Sequence, residues 1–152
     1  MFRTLLATLA LTASLSAATR IFQTFEGDGF DGWQSAGSAF GLAPAAGKSD
    51  EMALPFTGYI NESLATSTHG GDSAKGSLTS PDFVISEPYI TFLIAGGDLG
   101  GKTAAQLIID GKVVREAVGK RSLRCETVSW DVAEYMGRDA RIRLMDDEIG
   151  PW

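Results

Sequence analysis

The dipeptide Asp110-Gly111 lies between two runs of β-forming residues and constrains the fold more than any other feature of the chain. The run before it, residues 104–109, reads AAQLII, and the run after it, residues 112–118, reads KVVREAV. Asp-Gly between two such runs is among the strongest short signals for a β-hairpin, because both residues tolerate the positive φ of a type I′ turn. We therefore predict two antiparallel strands joined by a tight turn.

This hairpin decides how the preceding loop is interpreted. Residues 96–103, GGDLGGKT, match the phosphate-binding pattern G-x-x-x-x-G-K-[ST]. That pattern binds phosphate only where a helix follows the loop, because the helix N-terminus supplies N–H groups and a favourable dipole. Only six residues separate Thr103 from the turn, too few for such a helix. We expect a glycine-rich connection between strands, with no bound nucleotide.

Further strands are predicted along the rest of the chain. The candidate segments are residues 20–26, 33–40, 59–66, 77–85, 89–94, 123–132 and 140–145. Pro81 indicates an edge position or a bulge in the fourth of these, and the run at 89–94 is apolar on both faces, which is typical of a central strand. In the last, Ile142 and Leu144 should point inward and Arg141 and Arg143 outward. Eight or nine strands at this spacing predict an all-β fold, an antiparallel β-sandwich of jelly-roll type.

The N-terminus reads as a secretory signal peptide. Arg3 is followed by an apolar run, and small residues lie around Ala18, where cleavage is expected. Residues 1–18 would then be removed, leaving residues 19–152 as a single module that is secreted, periplasmic or held at the cell surface. No other stretch is long and apolar enough to span a membrane.

Charge and cysteine content narrow the choice of partners. The chain has 13 basic and 19 acidic residues, a net charge of −6, which argues against nucleic acid or an anionic membrane as partner. Cys125 is the sole cysteine, so an intramolecular disulfide is impossible, and we expect a buried structural thiol.

Candidate binding residues lie in turns. His69 and Asp72, in the segment STHGGDS, either face water in a simple turn or bind ligand hydroxyls. Asp146 and Asp147, followed by Glu148, are either a solvated strand end or ligands for hydroxyls or calcium. A single histidine cannot form the usual zinc site, so we expect no metal and no cofactor, with structural calcium unsupported.

Two tryptophans are further candidates for sugar binding. Aromatic faces stack on the apolar faces of sugar rings, which makes Trp33 and Trp152 candidates, although a tryptophan after a glycine-rich turn is more often part of a core. If the module has a binding rim, we expect it to join His69, Asp72, Asp146 and Asp147.

Several short motifs together resemble one family. They are FEGDGFDGW (25–33), GSAFG (37–41), HGGD (69–72), GSLTSP (76–81), YITFLIAGG (89–97), DGKVVR (110–115) and WDV (130–132), continuing to Asp146, Asp147 and Trp152. In combination they resemble the N-terminal module of secreted fructan-degrading enzymes, the levanases and fructanases of glycoside hydrolase family 32.

The resemblance implies a galactose-binding-like β-sandwich that precedes a catalytic five-bladed propeller. The acidic motifs of the catalytic domain are absent, so hydrolase activity is not carried over. The family pattern continues past Trp152 with a further strand, and we therefore expect this sandwich to lack its last strand. The partner is then a fructan or other polysaccharide. Alternatively, the module binds no ligand and packs against the catalytic propeller; an independent enzyme is the third hypothesis.

Overall fold

A computed structural model describes residues 19–46 and 55–150 of the chain. In these ranges it contains ten β-strands and one short 3-10 helix, Ala133–Tyr135, with no α-helix. The strands are β1 (Gln34–Gly37), β2 (Ala45–Ala46), β3 (Ser63–Leu64), β4 (Gly76–Thr79), β5 (Phe83–Val84), β6 (Tyr89–Gly96), β7 (Thr103–Ile109), β8 (Lys112–Ala117), β9 (Ser122–Asp131) and β10 (Asp139–Asp146). All ladders between strands are antiparallel. The predicted all-β class is confirmed.

Most of the strands belong to one main sheet with the order β1-β4-β10-β7-β8, in which β5 also pairs with β10. Its centre, β10, lies between β4 and β7, two strands that are distant from it in sequence. The ladder β6–β9 and the short pair β2–β3 are separate. Because the β6–β9 ladder and the loops pack on one face of the main sheet, the molecule has two layers, and a β-sandwich fits this arrangement. The jelly-roll topology stays a prediction.

The core lies on the face of the main sheet that these layers cover. One cluster of buried residues joins β7 and β10 to the β6–β9 ladder and is centred on Leu107, Trp130 and Val132. A second cluster, centred on Phe40 and Leu78, lies beneath the N-terminal segment. Burial of such side chains stabilises the folded state by roughly 1.5–3 kcal/mol each. As predicted, Ile142 and Leu144 pack against this core and Arg141 and Arg143 alternate with them.

The Asp-Gly hairpin is confirmed. β7 and β8 pair across Asp110 and Gly111, with φ values of 51° and 73°, as a turn of this class requires. Thr103 begins a strand rather than a helix. The glycine-rich loop before it leads from β6 in one layer to β7 in the other.

Two strand predictions were wrong. Residues 20–26 form no strand. Within the described ranges β6 is not a central strand either, because β9 is the one strand there that pairs with it and its Tyr89 is 60% exposed. A short apolar run does not by itself reveal how many faces are covered. The predicted signal peptide and Trp152 lie outside the described residues. Among the helices of the described residues, none has the length and apolar character needed to cross a membrane.

Pro81 interrupts a strand, as expected of an edge or bulge, because it has no N–H for the ladder. The interruption separates β4 from β5, which both pair with β10. Ser80 spans the gap: its N–H donates to the carbonyl oxygen of Ile142 (2.8 Å), and its Oγ accepts the N–H of Ile142 (2.9 Å). The chain therefore stays attached to β10 while Asp82 is turned toward Arg141.

Candidate functional site: a pocket at the loop end of the main sheet

A small pocket lies where β4 and β7 begin and β10 ends. Asp146, the last residue of β10, is in register with Gly76 of β4 and Thr103 of β7. We call this the loop-end pocket. Its walls come from the turn before β4, the start of β7 and the segment after β10: Ser67, Thr68, Gly71, Asp72, Ala74, Thr103, Asp146, Glu148 and Gly150.

Backbone hydrogen bonds hold the two loops of this pocket together. The N–H of Gly150 donates to the carbonyl oxygen of Asp72 at 2.7 Å, and the turn before β4 is closed by Gly71 N–H to Thr68 O (3.1 Å) and Ala74 N–H to Gly71 O (2.9 Å). The positive φ of Gly71, 74°, suits this turn. The pocket is therefore built from loops that are tied to each other.

One of the side chains that line the loop-end pocket has a buried hydroxyl group. Among the described residues, no group forms a hydrogen bond with the Oγ1 of Thr103, which is inaccessible to solvent. The hydroxyl of Thr68 lies 3.1 Å from that of Thr66, and Asp146 accepts the N–H of Glu148 at 3.3 Å. The pocket volume is about 40 Å³, more than the roughly 10–15 Å³ needed to hold one water and far less than the roughly 300 Å³ at which typical ligand pockets begin. It can therefore take one hydroxyl-sized group of a larger ligand.

Ion pairs fix the acidic residues beside the pocket. Lys102 Nζ lies 2.6 Å from Glu148 Oε2, and Lys75 Nζ lies 2.8 Å from Asp147 Oδ1. The hydrogen bond from Lys102 lowers the pKa of Glu148, and that from Lys75 lowers the pKa of Asp147. Both carboxyl groups are therefore held in the ionised form and are unsuited to donating a proton.

The structure places part of the predicted rim together. Asp72 and Asp146 line one pocket, and Asp147 lies next to it, paired with Lys75. His69 does not line the pocket: its ring packs on Gly41, where a Cβ would approach the His69 Cγ to 2.8 Å. Thr103 was missed by the sequence reasoning, because the strand register that brings it beside Asp146 joins segments about forty residues apart.

Trp33 lies in an aromatic cluster. Its ring meets that of Phe25 edge-on with centroids 5.3 Å apart, and that of Phe22 at 6.2 Å, and it packs against the second core cluster. This is the core role that a tryptophan after a glycine-rich turn often has.

Cys125 is half-buried with a free thiol, and burial raises its pKa, which suits a structural thiol. The described residues hold no group of three metal-ligating side chains.

Comparison with known proteins adds a context. The chain is 33% identical over 136 residues to the protein "Putative glycosyl hydrolase ecdE" of Aspergillus rugulosus. The match associates this chain with glycosyl hydrolases. It covers 87% of this chain but 19% of that protein, so the chain spans about a fifth of the length of this relative. No family model matches the chain, and no solved structure matches it.

Proposed function

We propose that this chain is an exported, non-catalytic, carbohydrate-binding β-sandwich module, the N-terminal accessory part of a fructan-degrading hydrolase of glycoside hydrolase family 32. The observation that carries the proposal is the match to a glycosyl hydrolase that takes in most of this chain and only a fifth of that protein.

The electrostatics of the described residues support a role without catalysis. Glycoside hydrolysis commonly uses a general acid whose pKa is raised and a second carboxylate beside it. At Asp82, Glu126, Asp147 and Glu148, a basic neighbour lowers the pKa of the carboxyl group. These groups favour the ionised form and are better suited to accepting hydrogen bonds than to protonating a leaving group.

The loop-end pocket is the binding site that we propose for one hydroxyl group of the terminal sugar of the polysaccharide. Asp72 and Asp146 would accept hydrogen bonds from hydroxyl groups, and hydrogen bonds to charged acceptors are roughly twice as strong as neutral ones.

Binding and hydrolysis assays test this proposal together. Affinity for levan and inulin should fall about tenfold in Asp72→Ala, the loss of one hydrogen bond to a charged acceptor, and much less in His69→Ala. Asp28→Ala, at an exposed position that does not line the pocket, is the matched control. Release of fructose by the chain itself, abolished by Asp72→Ala, would show an enzyme instead. A chain that binds no glycan but associates with a catalytic propeller would support the docking role.

A further inference from the structure

The face of the main sheet opposite the core carries a line of polar side chains. In antiparallel ladders, directly paired residues point to the same face. The register pairs Gln34 with Thr79, Thr79 with Arg143, Arg143 with Gln106, and Gln106 with Glu116. These five residues therefore form one row across β1, β4, β10, β7 and β8. We call it the polar row.

One half of the polar row is already ordered by its own hydrogen bonds. Arg143 donates from Nε (3.1 Å) and Nη2 (2.6 Å) to Gln106 Oε1, and Gln106 Nε2 donates to Glu116 Oε2 (2.7 Å). Glu116 Oε1 accepts the N–H of Gly101 at 3.0 Å. With Gln106 only 4% exposed, these side chains have little freedom left to lose on binding, which favours affinity.

In the other half of the row, several side-chain hydrogen-bonding groups are not used within the protein. Among the described residues, neither the side chain of Gln34 nor that of Thr79 takes part in a hydrogen bond. Arg143 is half-buried, yet no carboxylate in the described ranges lies within ion-pair distance of it, whereas the guanidinium of Arg115 is paired with Glu134. A half-buried guanidinium with unused N–H groups gains from a ligand that accepts hydrogen bonds.

A cleft continues this half of the row. It has a volume of about 150 Å³ and is lined by Gln34, Thr79, Asp82 and Arg141, together with Gly32, Ser80 and Pro81. Arg141 holds Asp82 in a two-point ion pair, with Nη2 to Oδ2 at 2.9 Å and a second bond from Nε to Oδ1. Such a pair presents donor and acceptor atoms side by side. The cleft is smaller than the roughly 300 Å³ at which typical small-molecule pockets begin, so it suits a single ring of a longer ligand.

We propose that the polar row and this cleft bind a neutral polysaccharide that lies across the strands. The row spans four strand spacings, about 19 Å at roughly 4.8 Å each, which is long enough for several sugar rings. The charges of the row and the cleft together cancel, because Asp82 and Glu116 balance Arg141 and Arg143. The whole chain, by contrast, carries a net charge of −6. A neutral chain of hydroxyls fits this face, while an acidic polysaccharide would be repelled by the molecule as a whole.

This site rests on the proposed carbohydrate role but is separate from the loop-end pocket. Arg141 and Asp146 are five residues apart on β10, about 17 Å along the strand. Arg141 also shares the face of the row, whereas Asp146 alternates with it in the strand. Substitutions at one site should therefore leave the other intact.

The test measures the affinity of the protein for polysaccharides by affinity electrophoresis and calorimetry. Levan, inulin and neutral β-glucan are the neutral ligands, and polygalacturonate is the acidic ligand with which they are compared. The variant Gln34→Ala/Thr79→Val removes the free hydrogen-bonding groups without disturbing the Arg143–Gln106 pair, so the fold should survive. We expect about a tenfold weaker affinity for a neutral polysaccharide, the effect of losing one or two hydrogen bonds, and an unchanged melting temperature. Asp72→Ala should weaken binding at the loop-end pocket alone, so calorimetry should still detect the site on the polar row with its affinity unchanged.

Several outcomes would overturn the proposal. If the double variant binds every polysaccharide as tightly as the unaltered protein and only Asp72→Ala weakens binding, the loop-end pocket is the site and the row is not. The face would then be free for a protein partner. Preference for polygalacturonate would contradict the neutral ligand. If no polysaccharide binds at all, both this proposal and the proposed function fail.

Discussion

Arg143 donates two hydrogen bonds to the side-chain carbonyl oxygen of Gln106, one from Nε at 3.1 Å and one from Nη2 at 2.6 Å. The pair joins β10 to β7 on the face opposite the core, at a position where Gln106 is almost fully buried. A buried amide keeps its place only if its polar atoms are satisfied. Here Arg143 and Glu116 satisfy both ends of the amide.

The first prediction concerns this amide. Gln106→Leu should lower the free energy of unfolding by about 1–3 kcal/mol, because Arg143 and Glu116 lose a buried partner. Urea denaturation measures the change. Gln34→Leu, in the same row but exposed, is the control and should change stability by less than about 0.5 kcal/mol. Equal effects of the two substitutions would show that the Arg143–Gln106 pair adds nothing to stability.

The core can be tested in the same way. Leu107 is completely buried in the cluster between the two layers, and Leu107→Ala should cost about 2–5 kcal/mol. With native stabilities of about 5–15 kcal/mol, this change is large enough to be read directly from thermal unfolding. Val113→Ala, on the neighbouring strand but 44% exposed, should have a far smaller effect. A small loss at Leu107 would mean that the layers are not packed as described.

A third prediction follows from the contact between His69 and Gly41. Gly41 has a φ of +68°, and a Cβ there would lie 2.8 Å from the His69 ring. Gly41→Ala should therefore be destabilising through backbone strain of about 1 kcal/mol and through the steric conflict. His69→Ala removes the steric conflict, so Gly41→Ala should lower the free energy of unfolding by less in the His69→Ala background than in the unaltered protein. Strictly additive effects in this cycle would show that the ring does not contact Gly41.

The Asp82–Arg141 pair leads to a prediction on pH. The hydrogen bond from Arg141 lowers the pKa of Asp82 below its ordinary value of 3.8. A carboxyl group whose folded-state pKa is depressed stabilises the fold above the unfolded value and loses this contribution as the pH falls through the folded value. In Arg141→Gln, the pKa of Asp82, followed by NMR of the carboxyl carbon, should rise toward 3.8. No change would show that the pair does not form in solution.

A fifth prediction concerns the glycine-rich loop. Lys102 is paired with Glu148, and a strand follows the loop, so no helix N-terminus is present to receive a phosphate. Isothermal titration should detect no ATP binding, and Lys102→Ala should leave the fold unchanged. A measurable ATP affinity that disappears in Lys102→Ala would overturn this reading.

The sequence predicted the features that depend on local chemistry. Asp110 and Gly111 specify their own turn, and the alternation around Ile142 and Leu144 specifies which face of β10 is buried. The Pro81 interruption also follows from the missing N–H. These signals are local, because each rests on residues that are neighbours in the chain.

The features that the sequence did not reveal depend on pairing between distant segments. β10 joins β4 to β7, and only this register aligns Thr79, Arg143 and Gln106 in one row. The same register brings Thr103 beside Asp146. The apolar composition of β6 is typical of a central strand, but composition does not show how many strands pair with it. Among the described residues, β6 pairs with β9. The binding roles of His69, Asp72, Asp146, Asp147, Trp33 and Trp152 stay predictions.

Calorimetric titration of the purified protein with levan, inulin and neutral β-glucan tests the central claim most directly. The account predicts saturable binding of at least one neutral polysaccharide, weakened by Asp72→Ala or by Gln34→Ala/Thr79→Val, with no release of sugar from the polymer. Absence of binding to all three at millimolar sugar concentrations, with the protein folded, would contradict a carbohydrate-binding module.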